Sequence, residues 1–340
     1  MQVINDKIPK VSVVMSVYKE PLNWIDEAID SILKQTFTDF ELIIINDNPT
    51  RSELKNYFES YINQDSRIKI IENSENIGLT KSLNKGLHIA KGEYIARMDA
   101  DDISLSTRFE KQVSYMENNP NCGIIGCWVE MFGNKSGVFK CKENDNELKA
   151  VQFFQSPFDH PATLMRSSVL KKNEIYYNEA LKYAQDQELW AKLSAVCEFH
   201  NIPEILFKHR FNYQQVSKNH SFEQSNNVKK TRTELILKYL SPKGLESIVY
   251  DDITISRISE FLKKADTLIF NKSDRDKIDM ITMSLLMSLN NYSLKEFCNF
   301  ILSRIYLRKN WSFKEFVRIT LAFLVHRKEP YLGIIKLGQK

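Results

Sequence analysis

The sequence predicts an α/β protein: a mostly parallel sheet flanked by helices, followed by an α-helical C-terminal region. Three observations carry this. Short β-branched runs alternate with helical stretches over the first 130 residues. These runs are apolar throughout, as in sheets covered on both faces. From Phe222 onward only helical periodicity remains. With 340 residues, 43% hydrophobic and 26% charged, the chain can build one large or two ordinary domains, which excludes overall disorder.

Val11 to Val17 (VSVVMSV) reads as a buried strand. Asn23 to Gln35 is a helix with Trp24, Ala28, Ile29 and Ile32 on one face, and Phe40 to Ile45 is a second strand ending in Asn46, Asp47, Asn48 and Pro49. Leu54 to Ile62 reads as helix, Ile68 to Ile71 as strand, Lys81 to Ala90 as helix and Glu93 to Met98 as a fourth strand running into acids. Thr107 to Asn118 is a helix opened by a capping box of Thr107 and Glu110. Gly123 to Phe132 is a strand, and the polar stretch from Gly133 to Asn146 a loop or hairpin. Helices at Ser167 to Lys172 and Gln185 to Val196 and a short strand near Ile202 to Lys208 complete a domain of residues 1–220. Residues 221–340 form the helical region, with helices expected at Val228 to Leu240, Ile253 to Phe270, Asp276 to Leu289, Leu294 to Leu307 and Phe313 to His326.

The net charge of +4 divides unevenly, −4 over residues 1–220 and +8 over residues 221–340. The last 40 residues hold 9 basic and 2 acidic side chains, and residues 313, 316, 317, 320, 321 and 324 share one helical face. This allows a peripheral contact with an anionic membrane through the basic C-terminal helices. Packing onto the first domain or a partner subunit is the alternative. No nucleic-acid partner is expected. Charges and a Pro interrupt the amino terminus, so no secretory signal is read there, and the five cysteines contain no C-x-x-C pair. A cytoplasmic protein, at most peripheral on the inner membrane face, is the expectation.

Three acids stand in four positions at Asp99-Ala100-Asp101-Asp102, directly after the strand EYIARM. Carboxylates so crowded suit a hard divalent ion, Mn²⁺ or Mg²⁺, that keeps coordination positions for phosphate oxygens. An acidic helix-capping turn is the plainer alternative for a bare D-x-D. Ser16-Val17-Tyr18-Lys19-Glu20 ends the first strand and Asp47 the second, so both face one crevice. There a Tyr ring can stack on a base and an Asp can accept from a pyrimidine N–H. A rim Tyr and a turn Asp are equally compatible with these residues taken singly. Gly78 suits a tight turn before a helix whose first turn offers Lys81 to a nucleotide.

The succession VSVVMSVYKE, ELIIINDN and NIGLTKSLNKGLHIAKGEYIARMDADD resembles the inverting nucleotide-sugar transferases of glycosyltransferase family 2, with the GT-A fold. SPFDHP (156–161) is similar to the family's His-Pro segment, and AQDQELW (184–190) to its E-D-x-D-L-W segment. The resemblance implies that Ser16, Tyr18, Glu20, Asp47, Lys81 and Asp99 bind the nucleotide-sugar, that Asp101 ligates the metal, and that Asp186 is the catalytic base. Gln185 stands where the family often has Glu, and Asn212 where it often has His, while His209 lies in a different register. Glu188, Trp190 and His160 read as equally or more readily structural.

The function expected on this basis is inverting, metal-dependent transfer of a sugar from a nucleoside diphosphate, a UDP-sugar foremost. The acceptor would be a glycan or lipid-linked hydroxyl in capsule or O-antigen synthesis. A catalytically silent nucleotide-sugar-binding scaffold is the alternative. A nucleotidyltransferase would need a Gly-rich phosphate loop after the first strand, and SVYKEPLNW has none.

Overall fold

A computed structural model describes residues 8–212, 221–250, 254–268 and 271–287. Strands β1 (Val11–Val17), β2 (Phe40–Asn46), β3 (Ile68–Glu72) and β4 (Tyr94–Asp99) run parallel in the order β3-β2-β1-β4. Helices α1 (Leu22–Leu33), α2 (Glu53–Gln64) and α3 (Leu79–Ile89) cross between them. The uninterrupted apolar runs follow from burial on both faces. Val13, Met15, Leu42 and Ile44 pack with Ile25, Ile29 and Ile32 of α1. Val14, Ile43 and Ile45 pack with Leu83 and Leu87 of α3. Gly86 lets α3 lie close on β1, since a Cβ there would meet a Val14 methyl at 2.3 Å.

Beyond β4 short antiparallel strands join the sheet, whose long ladders remain parallel as expected. It continues through β8 (Leu164–Arg166), β6 (Cys122–Gly133), β9 (Glu198–Phe211) and the two-residue β5 (Ile103–Ser104). β8 is antiparallel to both β4 and β6, β9 runs parallel to β6, and β5 is antiparallel to β9. β7 (Gly137–Phe139) folds back on β6 as a hairpin within the polar stretch. The strands β5 and β8 are too short to leave a periodic signal. β9 exceeds its expected length because half of its residues are polar, although the strand continues along a long ladder with β6.

Helix α4 (Arg108–Asn118) forms where expected, without the capping box. Thr107 adopts φ −96°, ψ 4° and its side chain makes no cap, while the Glu110 carboxylate accepts from Thr36 Oγ1 at 2.7 Å. In α1 the buried stripe is Ile25, Ala28, Ile29 and Ile32, and Trp24 is only half-buried under the Arg210 guanidinium. Helices α5 (Asp145–Val151), α6 (Ser167–Lys172) and α7 (Gln185–Leu193) follow, with Leu189, Trp190 and Leu193 of α7 in the core.

The chain forms two compact units, residues 1–148 with 157–224, and residues 149–156 with 225–340. The detour of 149–156 into the second unit was not readable from composition. The second unit contains most of α8 (Ser221–Leu240), then α9 (Ser247–Tyr250), α10 (Ile255–Leu268) and α11 (Lys272–Met287). Its core joins Ile236, Leu240, Phe261, Leu262, Ile278 and Ile281 with Phe153. The expected helices at 294–307 and 313–326, and the amphipathic face at 313–324, lie outside the described residues. No helix among the described residues is long and apolar enough to cross a membrane.

Candidate active site

The strand order reverses at β1, so the carboxyl ends of β1, β2 and β4 meet where ligands bind in such sheets. Register aligns these ends, since Ser16 pairs with Ile45 on one side and Asp99 on the other. Tyr18 is 37% exposed, with Lys19 Nζ 4.8 Å from its ring centre. The Tyr18 amide donates to Glu20 Oε2 at 2.7 Å. Burial pushes the Glu20 carboxyl above its usual range, and the nearby Asp99 adds to the shift. Glu20 is thus near enough to Asp99 to feel its charge.

Asp47 is 2% exposed and accepts four hydrogen bonds. Its Oδ1 receives Asn73 Nδ2 at 2.8 Å and the Ile77 amide at 2.9 Å, and its Oδ2 receives Asn76 Nδ2 at 3.1 Å and the Gly78 amide at 2.9 Å. Those four donors fill the acceptor capacity of a carboxylate. Asp47 therefore shapes the 73–78 loop, and Gly78 takes φ +85° to enter α3. Lys81 is exposed in the first turn of that helix.

At the end of β4, Asp99, Asp101 and Asp102 each offer a carboxylate oxygen within 4.8 Å of the others. Three carboxylates form a hard, oxygen-only donor set of the kind Mg²⁺ and Mn²⁺ take. One more observation fits a cation. Asp102 is 1% exposed, its Oδ1 accepts the Arg210 amide at 2.7 Å, and its Oδ2 is buried with no hydrogen-bond partner among the described residues. Burial raises the Asp102 carboxyl well above its ordinary range, opposed by His209 and reinforced by Asp101 and Asp99.

Three groups around this turn were not singled out as site residues beforehand. Arg97, 3% exposed on β4, pairs with Asp99, whose charge holds the guanidinium ionised despite its burial. A charged residue inside the apolar run YIARM was the available signal. Arg210 donates from Nε to the Asp101 carbonyl at 2.7 Å and pairs with Glu27. His209 on β9 lies 3.2 Å from the Asp159 carboxylate. Burial alone would depress this imidazole, but Asp159 and Asp102 outweigh it and place it well above its ordinary range. Only the fold brings residues 159 and 209 together, so no sequence spacing could show the pair.

Asp186 is the second residue of α7, after Ala184 in a left-handed conformation with φ +60°. Burial raises its carboxyl. The backbone amides of Gln187 and Asp186 itself, and the charge of Arg97, act against that rise. The carboxyl therefore sits above the ordinary range, the direction in which a buried proton acceptor is tuned. Glu188, two residues on, pairs with Lys192 at 3.0 Å. Trp190 is fully buried, and His160 bonds Tyr177 Oη at 2.7 Å, so both serve the core beneath the crevice.

A family model described as Glycosyl transferase family 2 matches residues 12–173. An "Uncharacterized glycosyltransferase" of Haemophilus influenzae is 32% identical over 307 residues, covering 87% of this chain and 91% of the relative. The chain belongs to glycosyltransferase family 2. A second relative of this glycosyltransferase is 35% identical over 217 residues, covering 61% of this chain and 76% of the relative. It is the UDP-Gal:alpha-D-GlcNAc-diphosphoundecaprenol beta-1,3-galactosyltransferase of Escherichia coli. Among solved structures, S. aureus TarS 1-349 in complex with UDP-GlcNAc superposes with a TM-score of 0.55 at 18% identity. That match covers 82% of this glycosyltransferase and 90% of the TarS chain, and it shows the shared GT-A architecture.

Proposed function

We propose that this family 2 glycosyltransferase transfers a sugar, with inversion, from a nucleoside diphosphate to an acceptor hydroxyl in bacterial polysaccharide synthesis. The observation that carries the reading is the pairing of two carboxylate sets in one unit. The Asp99–Asp102 turn closes the donor side, and Asp186 stands half-buried at the start of α7. Ser16, Tyr18, Glu20 and Lys81 border the donor crevice, with Asp47 shaping its wall through the 73–78 loop. The expected donor is a UDP-sugar. The TarS complex supports the fold's capacity for such a donor, and the E. coli relative's diphosphoundecaprenol substrate supports a lipid-linked acceptor.

In the reaction Asp186 accepts the acceptor's hydroxyl proton as that oxygen forms its bond to the anomeric carbon. The bond from that carbon to the diphosphate breaks on the opposite face, and the nucleoside diphosphate leaves with the electron pair. Asp101, with Asp99 and Asp102, would hold a divalent ion, which supplies positive charge for the diphosphate when bound. Arg97 pairs with Asp99 and keeps it in place. A peripheral membrane contact through the basic C-terminal helices would bring the enzyme to a lipid-linked acceptor.

The test is nucleotide release and calorimetric binding with a panel of UDP-, GDP- and dTDP-sugars, with Mn²⁺ or Mg²⁺. Asp101→Ala is expected to abolish metal-dependent donor binding. Asp186→Asn should still bind donor while turnover falls on the order of 10³-fold, as expected for loss of a general base. No binding of any donor in the presence of metal overturns the reading. Tight binding with no turnover on supplied lipid-linked acceptors converts it to a donor-binding scaffold.

A further inference from the structure

The base-bearing helix α7 is reached through residues 173–184, a stretch with neither helix nor strand. Within it, few backbone groups bond to one another: the Leu181 amide reaches the Asn178 carbonyl at 2.9 Å, and the Ala180 amide reaches Asn178 Oδ1 at 3.1 Å. Its anchorage comes from elsewhere. Asn84 of α3, 5% exposed, brackets Tyr177 on both sides. Its Nδ2 donates to the Tyr177 carbonyl at 2.9 Å, and its Oδ1 accepts the Tyr177 amide at 3.0 Å. The same amide nitrogen reaches Glu179 Oε1 at 3.0 Å. One turn earlier, Thr80 Oγ1 donates to the Leu181 carbonyl at 2.9 Å. Side chains of one helix thus replace the strand neighbour that this segment lacks.

The same helix is fixed at its start by the donor-side corner. Asp47 binds the Ile77 and Gly78 amides immediately before it, and Asn73, which also donates to Asp47, reaches Ser82 Oγ at 3.1 Å. Tyr177 in turn holds His160 through its hydroxyl, and the His160 ring lies edge-on to Trp190 of α7 at 5.7 Å. A path of direct contacts therefore runs from the end of β2, through α3, to both the entry and the packed face of the helix bearing Asp186.

We propose that Asn84 and Thr80 are positioning residues for catalysis, holding segment 177–181 so that α7 presents Asp186 to the acceptor. Neither touches substrate. The inference deepens the transferase reading above and rests on it. It assigns to α3 two separate duties: its first turn faces the donor, and its buried polar face serves the base. A base displaced by about 1 Å costs on the order of 10²-fold in rate, because proton transfer and attack need a fixed geometry.

The experiment uses the full chain with three variants, Asn84→Ala, Thr80→Val and Thr80→Ser. Donor affinity is measured by calorimetry with the panel member that the parent enzyme binds, turnover on lipid-linked acceptor, and amide hydrogen exchange in the absence of any ligand. The expected result is a kcat lower by 10- to 100-fold in Asn84→Ala and about 10-fold in Thr80→Val, with donor Kd within twofold of the parent. Thr80→Ser, which keeps the hydroxyl, should retain parental kcat. Exchange should quicken at residues 177–187 in the first two variants and not in the third. Parental kcat in Thr80→Val, or an equal loss in Thr80→Ser, overturns the proposal, and the Thr80 pair decides it alone if Asn84→Ala is too unstable to purify. Because hydrogen exchange needs no substrate, a parent enzyme that binds no donor sinks the transferase reading while the anchoring of the segment is still judged.

Discussion

Two corners of the crevice carry the same chemical group and treat it oppositely. At the end of β2, Asp47 has both oxygens engaged by four donors from one loop. At the end of β4, Asp102 is equally buried, yet it receives the Arg210 amide on one oxygen and leaves the other without a hydrogen-bond partner among the described residues. A buried carboxylate whose lone pairs are filled is a fixed part of the scaffold. One whose lone pairs are unfilled binds a proton or a cation to offset its desolvation. Asp186 stands between the two, since backbone amides of Gln187 and Asp186 oppose the rise that burial imposes on its carboxyl.

The largest expected effect is on pH dependence. A general base must be unprotonated, and burial raises the Asp186 carboxyl above its ordinary range. Turnover under saturating substrate should therefore fall about tenfold per pH unit below an apparent pKa lying above the ordinary carboxylate range. A limb at or below pH 4 would show that burial does not tune Asp186 in this way. Next in size, Asp47→Ala leaves four donors in the 73–78 loop unmatched, two of them backbone amides. It should cost about 3 kcal/mol or more, read as a lowered denaturant midpoint. Asp102→Asn keeps an acceptor for the Arg210 amide and removes a buried charge. Its stability without metal should stay within about 1 kcal/mol of the parent, while Mn²⁺ binding measured by calorimetry weakens at least tenfold. The contrast between these two Asp variants breaks if both lose stability alike.

Metal-free stability offers a further reading of the same difference. The folded-state pKa of Asp102 is raised, so the folded protein binds that proton more tightly than the unfolded chain does. Its contribution is present at low pH and is lost as pH rises from the ordinary carboxylate value through the raised one. Added Mn²⁺ should then raise the Tm more at pH 8 than at pH 6, and Asp102→Asn should flatten that dependence. The smallest effect concerns the backbone before Asp186. Ala184 holds φ +60°, so Ala184→Gly should relieve strain of about 0.5 to 1 kcal/mol and raise the Tm by about 2 °C.

How much of this was legible in the sequence follows from what each feature needs. The parallel core was readable because β1, β2 and β4 bury both faces and so are written as unbroken apolar runs. The acid turn was readable because Asp99, Asp101 and Asp102 are chain neighbours placed by one strand end. The segment E-Y-I-A-R-M hid Arg97 in plain view, since its partner Asp99 lies two residues on. The mixed half of the sheet was not readable, because β5 and β8 span two and three residues and carry no period.

Sequence by itself determined the strand and helix menu and the gathering of Ser16, Asp47 and the Asp99–Asp102 acids at neighbouring strand ends. These rest on local pattern and on the alignment of adjacent parallel strands. Only tertiary structure decided which acids are filled and which are open. Asp47 became scaffold because a loop thirty residues away turned its amides inward, and Asp186 became reachable by Arg97 and steadied by Asn84 because the chain folded residues 84, 97 and 177 around one place. Hydrogen-bond saturation depends on partners distant in sequence, and the chain order of residues does not record that distance once it has closed.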